Sequence, residues 1–400
     1  MKPGKASAEN HRFSIRLLTG EEFSQYQEAW NKLLDSSGSE SFFLKWEWLF
    51  TFWETVDKKD ASLQVWLCHD GSELVGIAPF YIYSTTFIKM PVRKMAFLGD
   101  RVASDYMDIF AAPGYEEICC REVLRQVRHS SAQAYDVFEL EGICNDSNLY
   151  QYLAAGHDAN RDMQLLPGFD CPRTMLDSSF EKYLHRLSAS TRYSLGRKQR
   201  KLERKFGGAV IEHLDLKENP EMLDVLFDLH KQRWDELKDK TSTFSSLYRE
   251  KFNNKLLQYL DEGDGFFSCM SIDGEIVSIM YIFVYKNNAF FYQNGWNPVF
   301  ASCGVGILNI QHAIHHAIES GYKSFDFLRG EEAYKYKFCE EMRTAYLALY
   351  FGSGPYGRVA KVLFILKAGL KDLLSRLRNL RGQGVKPDEH YFDCLQDRQH

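Results

Sequence analysis

The residues best suited to hold a ligand stand in one short turn, which contains the spacing Gly304-x-Gly306. Two glycines let the backbone approach a ligand closely, and free N–H groups at the start of a helix attract anions. A diphosphate is therefore a natural ligand here, although a plain turn before a helix shows the same pattern. The candidate binding residues are Ser302, Cys303, Gly304, Val305, Gly306 and Ile307.

Two other phosphate-binding motifs do not fit this turn. Asn309 stands where a dinucleotide-binding fingerprint requires its third glycine. The Gly-Lys-Ser/Thr sequence of a P-loop does not follow Gly304. The turn therefore predicts an anion site that belongs to neither of those two classes.

The segments around the turn predict a strand, a helix and a second strand. Residues 289–296 are aromatic and end at Asn-Pro, which is typical of a strand that runs into a turn. Residues 307–319 carry apolar side chains at a helical period, and Gly321 follows as a helix stop. Residues 324–328 form a short apolar strand that contains Asp326. Such a βαβ unit predicts two neighbouring parallel strands.

The overall composition excludes several classes of protein. The net charge of −5 over 400 residues gives no general preference for nucleic acid, and no apolar run is long enough to span a membrane. Nine cysteines, an odd number with no C-x-x-C pair, indicate a reduced, cytoplasmic protein. Residues 1–12 read as a polar tail without a secretory signal.

Similar patterns in the two halves of the chain predict a structural repeat. Asp70-Gly71 and Asp273-Gly274 each stand between two strand-like runs, which indicates two equivalent hairpins. We therefore expect an α/β fold with mixed sheets, divided into units 13–165 and 174–351. Where the second unit has its two glycines, the first has Pro113-Gly114. The second unit is thus expected to bind the ligand, and the first to shape a cleft for an acceptor.

The order of strand, G-x-G turn, helix and strand is similar to the acyl-CoA-binding core of the GNAT N-acyltransferase superfamily. The later sequence FDFLRGEEAYKYKF, residues 325–338, resembles a branch associated with bacterial cellulose and exopolysaccharide synthesis, akin to Fem-type aminoacyltransferases with two GNAT-like halves. The resemblance covers residues 13 to 350, and departs from the broader family at Ala301, where Arg or Gln is preferred.

This resemblance implies tandem GNAT-like domains and an acyltransferase that uses acetyl-CoA or another acyl-CoA. The implied acceptor is an amine, or less readily a hydroxyl, on a sugar or precursor in polysaccharide or envelope synthesis. Fem-type relatives imply a second option, aminoacyl transfer from charged tRNA, although nucleic acid is not the expected partner. A non-catalytic scaffold of a membrane polysaccharide complex is a third.

Such a transfer needs a base for the acceptor and a proton donor for the leaving thiolate. We expect Asp326 or Glu331 as the base, directly or through a water, and Tyr292 as the acid. A carboxylate inside an apolar strand is costly unless it has a task or a partner, so Asp326 is equally well explained by pairing with Arg329 or Lys335. Arg329 and Lys335 are then expected either to bind phosphate or to hold the carboxylates, and Tyr292 has a core position as its alternative.

Two further segments are rich in cations. Residues 188–205 carry seven cations and one glutamate, which fits either a phosphate-binding helix or a solvated helix face. Residues 354–381 form a basic amphipathic helix, which we expect to pack on its own protein, with an anionic membrane surface as the alternative. Residues 382–400 read as a polar tail.

His312 and His316 share one helical face, as two metal ligands would. The accompanying carboxylate of an H-E-x-x-H motif is absent from the sequence, so no metal is expected.

Overall fold

The structure is a computed structural model that describes residues 13–130, 134–156, 162–235, 247–330 and 332–380. Its strands are β1 (Phe13–Leu17), β2 (Ala61–Asp70), β3 (Glu73–Phe87), β4 (Met90–Phe97), β5 (Phe110–Ala111), β6 (Val137–Cys144), β7 (Gln164–Met175), β8 (Val210–Asp215), β9 (Gly265–Ile272), β10 (Glu275–Tyr285), β11 (Asn288–Trp296), β12 (Ser324–Asp326) and β13 (Glu341–Phe351). The α-helices are α1 (Gln27–Ser36), α2 (Trp46–Thr55), α3 (Glu116–Ser130), α4 (Asn148–Ala154), α5 (Phe180–Arg186), α6 (Ala189–Phe206), α7 (Met222–Asp235), α8 (Leu247–Tyr259), α9 (Val305–Glu319) and α10 (Pro355–Leu380).

Both halves of the chain belong to one mixed sheet. Its strand order is β1-β2-β3-β4-β6-β13-β7-β12-β11-β10-β9-β8, and β5 pairs with β3 outside this path. The two predicted hairpins are present, because Asp70 pairs with Glu73 and Ile272 with Glu275. The fold is therefore the expected mixed α/β architecture, in which a second βαβ unit follows the first.

The middle of the sheet is built by strands that cross between the halves. The last strand, β13, inserts between β6 and β7, and β7 in turn pairs with β12. β7 was not predicted, and it runs across the expected boundary between residues 165 and 174. The two units are consequently joined through backbone hydrogen bonds as well as through the chain.

A common core also joins the halves. Phe42, from the 3-10 turn before α2, stacks on Phe283 of β10 with 4.4 Å between ring centroids. Trp48 of α2 meets the same phenylalanine edge-on and is fully buried. Stacked and edge-on aromatic pairs stabilise beyond their buried area, so this contact fixes the two halves against each other.

Two local features set the limits of elements in the two halves. Residues 180–206 form two helices, α5 and α6, because the Ser188 side chain caps the second helix by accepting from the Thr191 N–H (3.1 Å). In the first half, β5 covers only Phe110–Ala111, and Tyr106 before it has φ 56°, a left-handed conformation that a strand excludes.

The C-terminal helix α10 packs on the end of the sheet near β4 and β13. Ala360 and Phe364 are buried in a small cluster with Phe87 and Phe351. Gly357 is needed here, because a Cβ at that position would collide with the Gly352 carbonyl oxygen. No helix in the described ranges is both long and apolar enough to cross a membrane.

Candidate functional site

The parallel strands β11 and β12 separate beside the glycine turn. They pair at three positions only, from Asn288 with Ser324 to Phe290 with Asp326. β11 continues to Trp296, whereas β12 ends at Asp326 and Leu328 turns away with φ 54°. The edge of β11 after Phe290 is therefore left unpaired by β12. This geometry gives an extended ligand arm backbone groups with which it can pair.

The turn that follows β11 presents fewer free N–H groups than its sequence suggests. A 3-10 helix, Pro298–Cys303, precedes Gly304, which adopts a left-handed conformation with φ 69°. The Gly304 N–H donates to the Ala301 carbonyl, and the Ile307 N–H donates to the Gly304 carbonyl, both at 3.0 Å. Within the described residues, the N–H groups of Val305 and Gly306 have no backbone acceptor. These two are therefore the ones that can receive an anion.

Apart from these N–H groups, the turn contributes mainly to packing at three positions. Cys303 and the Val305 side chain are fully buried in a cluster with Leu202 and Leu308. Gly306 lies close to Trp296, because a Cβ there would be 3.1 Å from the indole Cδ1. Ser302 is exposed, and its carbonyl oxygen accepts a hydrogen bond from the Lys201 ammonium group (2.9 Å).

Helix α6 brings cations to this turn. Lys198 lies directly over Gly304, where a Cβ would be 2.7 Å from the lysine Nζ. Burial, followed by the charges of Arg197, Lys337 and Lys201, lowers the pKa of Lys198. All three charged neighbours that act on Lys198 are cations, so the cluster has positive charge that an anion would compensate. The sequence predicted a cationic helix, but only the structure places it at the glycine turn.

Asp326 is fully buried at the end of β12. Both of its carboxylate oxygens accept from the Tyr106 hydroxyl (3.0 and 2.9 Å), and Oδ1 also accepts from the Leu328 N–H (2.8 Å). Burial raises the pKa of Asp326 to about 6. The expected partners Arg329 and Lys335 do not contact this carboxylate, so the pairing alternative takes a different form. The Tyr106 hydroxyl and the Leu328 N–H hold Asp326, and the nearby charges of Arg343 and Arg173 partly offset the effect of burial on its pKa.

Arg329 and Lys335 have other partners. Arg329 forms an ion pair with the buried Asp105, and its N–H also donates to Asp105 (3.1 Å). Lys335 is buried, donates to the Arg329 carbonyl (2.7 Å) and pairs with Glu332 (3.1 Å). Both cations therefore hold the loop that follows β12, and both are already engaged within the protein.

Of the two other candidate catalytic residues, Tyr292 and Glu331, the structure describes only Tyr292. Tyr292 lies on β11 beyond its pairing with β12, and its hydroxyl donates to the Val102 carbonyl (2.8 Å). Burial raises the pKa of Tyr292 to about 12, which keeps its proton in place at neutral pH. Glu331 lies outside the described residues.

A loop of the first half that was not predicted as functional faces these residues. Val102, Ser104, Asp105 and Tyr106 contact Tyr292, Arg329 and Asp326 across the junction. Ala103 and Tyr106 have positive φ, as does Leu328 on the opposite side. Strained backbone of this kind is often concentrated at functional sites. Sequence reasoning had no signal for these contacts, because the partners are more than 180 residues apart.

Two histidines of α9 stack on aromatic rings of neighbouring elements. His316 stacks on His213 of β8 with 4.0 Å between centroids, and His315 stacks on Phe180. Burial lowers the pKa of His312 and His316, which favours neutral rings. Among the described residues, no group of three or more metal-binding side chains is found.

Comparison with known proteins agrees with this geometry. Residues 189–336, which include α6, the turn and the strand pair, match the family described as acetyltransferase (GNAT) domain. A search of curated proteins found no match.

The solved structures that resemble this chain extend the likeness to both halves. FemX has a TM-score of 0.57 at 11% identity, over 84% of this chain and 97% of that chain. A conserved protein of unknown function from Bacteroides thetaiotaomicron has a TM-score of 0.53 at 11% identity, over 85% of this chain and 100% of that chain. The C-terminal domain of a putative lysylphosphatidylglycerol synthetase from Agrobacterium fabrum has a TM-score of 0.50 at 12% identity, over 85% and 95% of the two chains.

The family match places a GNAT-type acetyltransferase domain in the second half of the chain, at residues 189–336. At such identities the likeness to the solved structures concerns the fold alone, which the chain shares with FemX over 84% of its length.

Proposed function

We propose that this protein is an N-acyltransferase that moves an acetyl or other acyl group from acyl-CoA to an amine. One observation carries the proposal: β11 and β12 part beside a helix start whose free N–H groups of Val305 and Gly306 lie next to the cation Lys198. The diphosphate of CoA would rest on this helix start, and its pantetheine arm would pair with the open edge of β11.

The proposed chemistry is direct transfer without an acyl-enzyme. The acceptor nitrogen attacks the thioester carbonyl, the new C–N bond forms, and the C–S bond breaks with its electron pair leaving on sulfur. A base takes one proton from the nitrogen, and an acid returns one proton to the thiolate. We propose Tyr292 as the acid, because its hydroxyl carries a proton at neutral pH and the residue lies on β11 beyond the pairing with β12.

We propose different roles for the two carboxylates. Asp326 is fully buried, and both of its carboxylate oxygens accept from the Tyr106 hydroxyl. We therefore propose that Asp326 positions the Tyr106 loop and the end of β12. We propose Glu331 as the base, on the grounds of its sequence position two residues after Arg329.

The acceptor we propose is an amine on a sugar or precursor used in polysaccharide or envelope synthesis. Its support is the resemblance of residues 325–338 to the cellulose-associated branch. The junction loop that contains Asp105 and Tyr106 supports the view that the first half shapes the acceptor cleft. We further propose that the protein works in the cytoplasm, which fits the eight described cysteines, all of them free thiols.

A second candidate function is aminoacyl transfer from charged tRNA. It is favoured by the exposed cations that α6 carries beyond Lys198, among them Arg197, Arg200 and Arg204. A row of cations on one helix suits a nucleic-acid backbone as well as the phosphates of CoA.

Calorimetric titration of the full chain with acetyl-CoA, longer acyl-CoA esters and aminoacyl-tRNA separates these two functions. The proposal predicts saturable binding of an acyl-CoA and an increase in melting temperature, because a ligand that binds only the native state stabilises it. Transfer is then measured by release of free CoA in the presence of a panel of amino sugars. Binding of aminoacyl-tRNA without binding of any acyl-CoA would replace the proposal by the second candidate.

A further inference from the structure

Over residues 355–367, the outer face of helix α10 is largely apolar and lies in solvent. Phe364 and Ala360 pack on the sheet, but the opposite side leaves large side chains uncovered. The exposed fractions are 57% for Tyr356, 49% for Val359, 54% for Val362, 54% for Ile365 and 64% for Leu366. These residues recur at the three- and four-residue spacing of one helical side. The expectation that the apolar stripe packs on its own protein therefore holds for only part of the helix.

Cations surround this exposed stripe. Residues 355–367 contain Arg358, Lys361 and Lys367 but no carboxylate. Arg358 and Lys361 are exposed beside the apolar side chains. The tip of the β3–β4 hairpin adds the exposed Lys89, whose neighbours Ile88 and Met90 pack against the same cluster that holds Phe364. The surface is therefore apolar in its centre and positive at its margins.

We propose that this face of α10 binds to the surface of a bilayer that contains anionic phospholipid. The apolar side chains would enter the boundary between headgroups and acyl chains, while Arg358, Lys361 and Lys89 meet the phosphates. The inner side of the helix stays on the sheet, so the helix lies along the membrane surface.

The charge pattern favours this occupant over a second copy of the chain. Two identical helices placed face to face would bring Arg358 and Lys361 against the same cations, with no carboxylate in residues 355–367 to offset them. An anionic bilayer offers opposite charge over the whole face. The inference is independent of the proposed acyl transfer and holds for a catalyst or a scaffold.

Co-sedimentation of the full chain with vesicles tests the proposal. We expect binding to vesicles of phosphatidylglycerol mixed with phosphatidylcholine, and little binding to phosphatidylcholine alone. The variant R358Q/K361Q should bind the mixed vesicles roughly 30-fold more weakly, since each cation near the surface contributes about 1 kcal/mol. The variant V359S/V362S/L366S should lose at least about tenfold in affinity through the lost burial of apolar area.

Matched variants elsewhere on the surface serve as controls. Val210→Ser removes another exposed apolar side chain, and K32E/K59E alters two exposed cations on other elements; both should bind vesicles as the wild type does. Melting curves of each variant report whether the fold is intact. Equal sedimentation of the wild type and of both α10 variants would overturn the proposal. So would a wild type that ignores vesicles but forms a dimer that V359S/V362S/L366S dissociates, because a second copy would then be the occupant.

Discussion

The two crossover helices, α3 in the first half and α9 in the second, start in opposite electrostatic surroundings. α3 begins with Glu116 and Glu117, and the Glu116 carboxylate accepts from the Gly114 N–H (2.7 Å). α9 has no acid in its first turn, and Lys198 lies over the glycine that precedes it. One helix start thus carries its own anion, whereas the other is surrounded by cations. This difference supports the proposal that the second half, and not the first, binds an external anion.

The strand pairs beside these helices differ in the same sense. β4 and β6 are parallel, as β11 and β12 are, and they pair at two positions. In the first half, however, the polar groups at this point satisfy one another, because Lys94 pairs with Glu139 (2.7 Å) and Tyr83 donates to Asp100 (2.9 Å). The comparison teaches that one topology can serve as a closed structural unit or as an open site, according to which charges the sequence supplies.

Blocking the glycine turn should have the largest effect. Gly304→Val places a β-branched side chain where φ is 69° and where even a Cβ meets Lys198 at 2.7 Å. We expect the affinity for acetyl-CoA, measured by calorimetry, to fall at least about 100-fold, because the free N–H groups would no longer be reached.

The first half provides the control for this change. Gly114 also has a positive φ, 91°, but a Cβ there meets nothing within 4 Å. Gly114→Val should therefore cost about 1–3 kcal/mol of stability through backbone strain alone and leave binding unchanged. If both variants bind acetyl-CoA equally well, the glycine turn is not the ligand site.

Removing the cation above the turn should have a smaller effect. Lys198→Ala deletes the ammonium group nearest Gly304, and we expect about a tenfold loss of affinity for acetyl-CoA, or about 1.4 kcal/mol. The same loss should appear with acetyl-dephospho-CoA, which keeps the diphosphate but lacks the 3′-phosphate. Lys205→Ala on the same helix is the matched control and should bind normally. If Lys198→Ala loses affinity for acetyl-CoA but not for acetyl-dephospho-CoA, Lys198 contacts the 3′-phosphate and not the diphosphate.

The buried carboxylate of the second half should make stability depend on pH. Asp326 has a folded pKa of about 6 against an ordinary value of 3.8, so its contribution is full below about pH 4 and is lost as the pH rises through 6. Relative to D326N, the wild type should gain about 1 kcal/mol of unfolding free energy between about pH 7.5 and about pH 5, measured by urea denaturation.

Tyr106→Phe tests the cause of that dependence. The variant keeps the carboxylate but removes the hydroxyl that donates to both of its oxygens. The pKa of Asp326 should then rise further, and the gain in stability on acidification should become larger than in the wild type. A dependence that is the same in D326N and in the wild type would show that another group titrates.

Sequence reasoning predicted the parts of this protein whose signals are local. The two hairpins and the βαβ unit were found because alternation, helical period and turn residues act within a few positions. The helix α6 was recognised as cationic for the same reason. Its target was not, because helix composition does not say which turn a helix will pack against.

The parts that were missed depend on contacts between distant residues. As the alternative to a role as the base, Asp326 was predicted to pair with Arg329 or Lys335, which are close in sequence, but its partner Tyr106 is 220 residues away. β7 was missed because its sequence carries Pro167, Gly168 and Pro172, residues that disfavour strands, and its pairing with β13 overrides that preference. Contacts between residues this far apart leave no recognisable pattern in a single amino-acid sequence.

Exchanging the charges of the two helix starts should give the smallest effects, with opposite signs. Ser302→Glu places a carboxylate beside Lys201, whose ammonium already donates to the Ser302 carbonyl (2.9 Å). This internal anion should raise the stability of the free protein by about 0.5 kcal/mol and weaken acetyl-CoA binding about threefold, because it competes with the diphosphate. Glu116→Gln should lower stability by about 0.5 kcal/mol and leave binding unchanged. Urea denaturation measures the stability of both variants, and calorimetry measures their affinity for acetyl-CoA. A Ser302→Glu variant that is less stable than the wild type would show that the cations around Gly304 are not short of negative charge, and the contrast between the two halves would then lose its electrostatic basis.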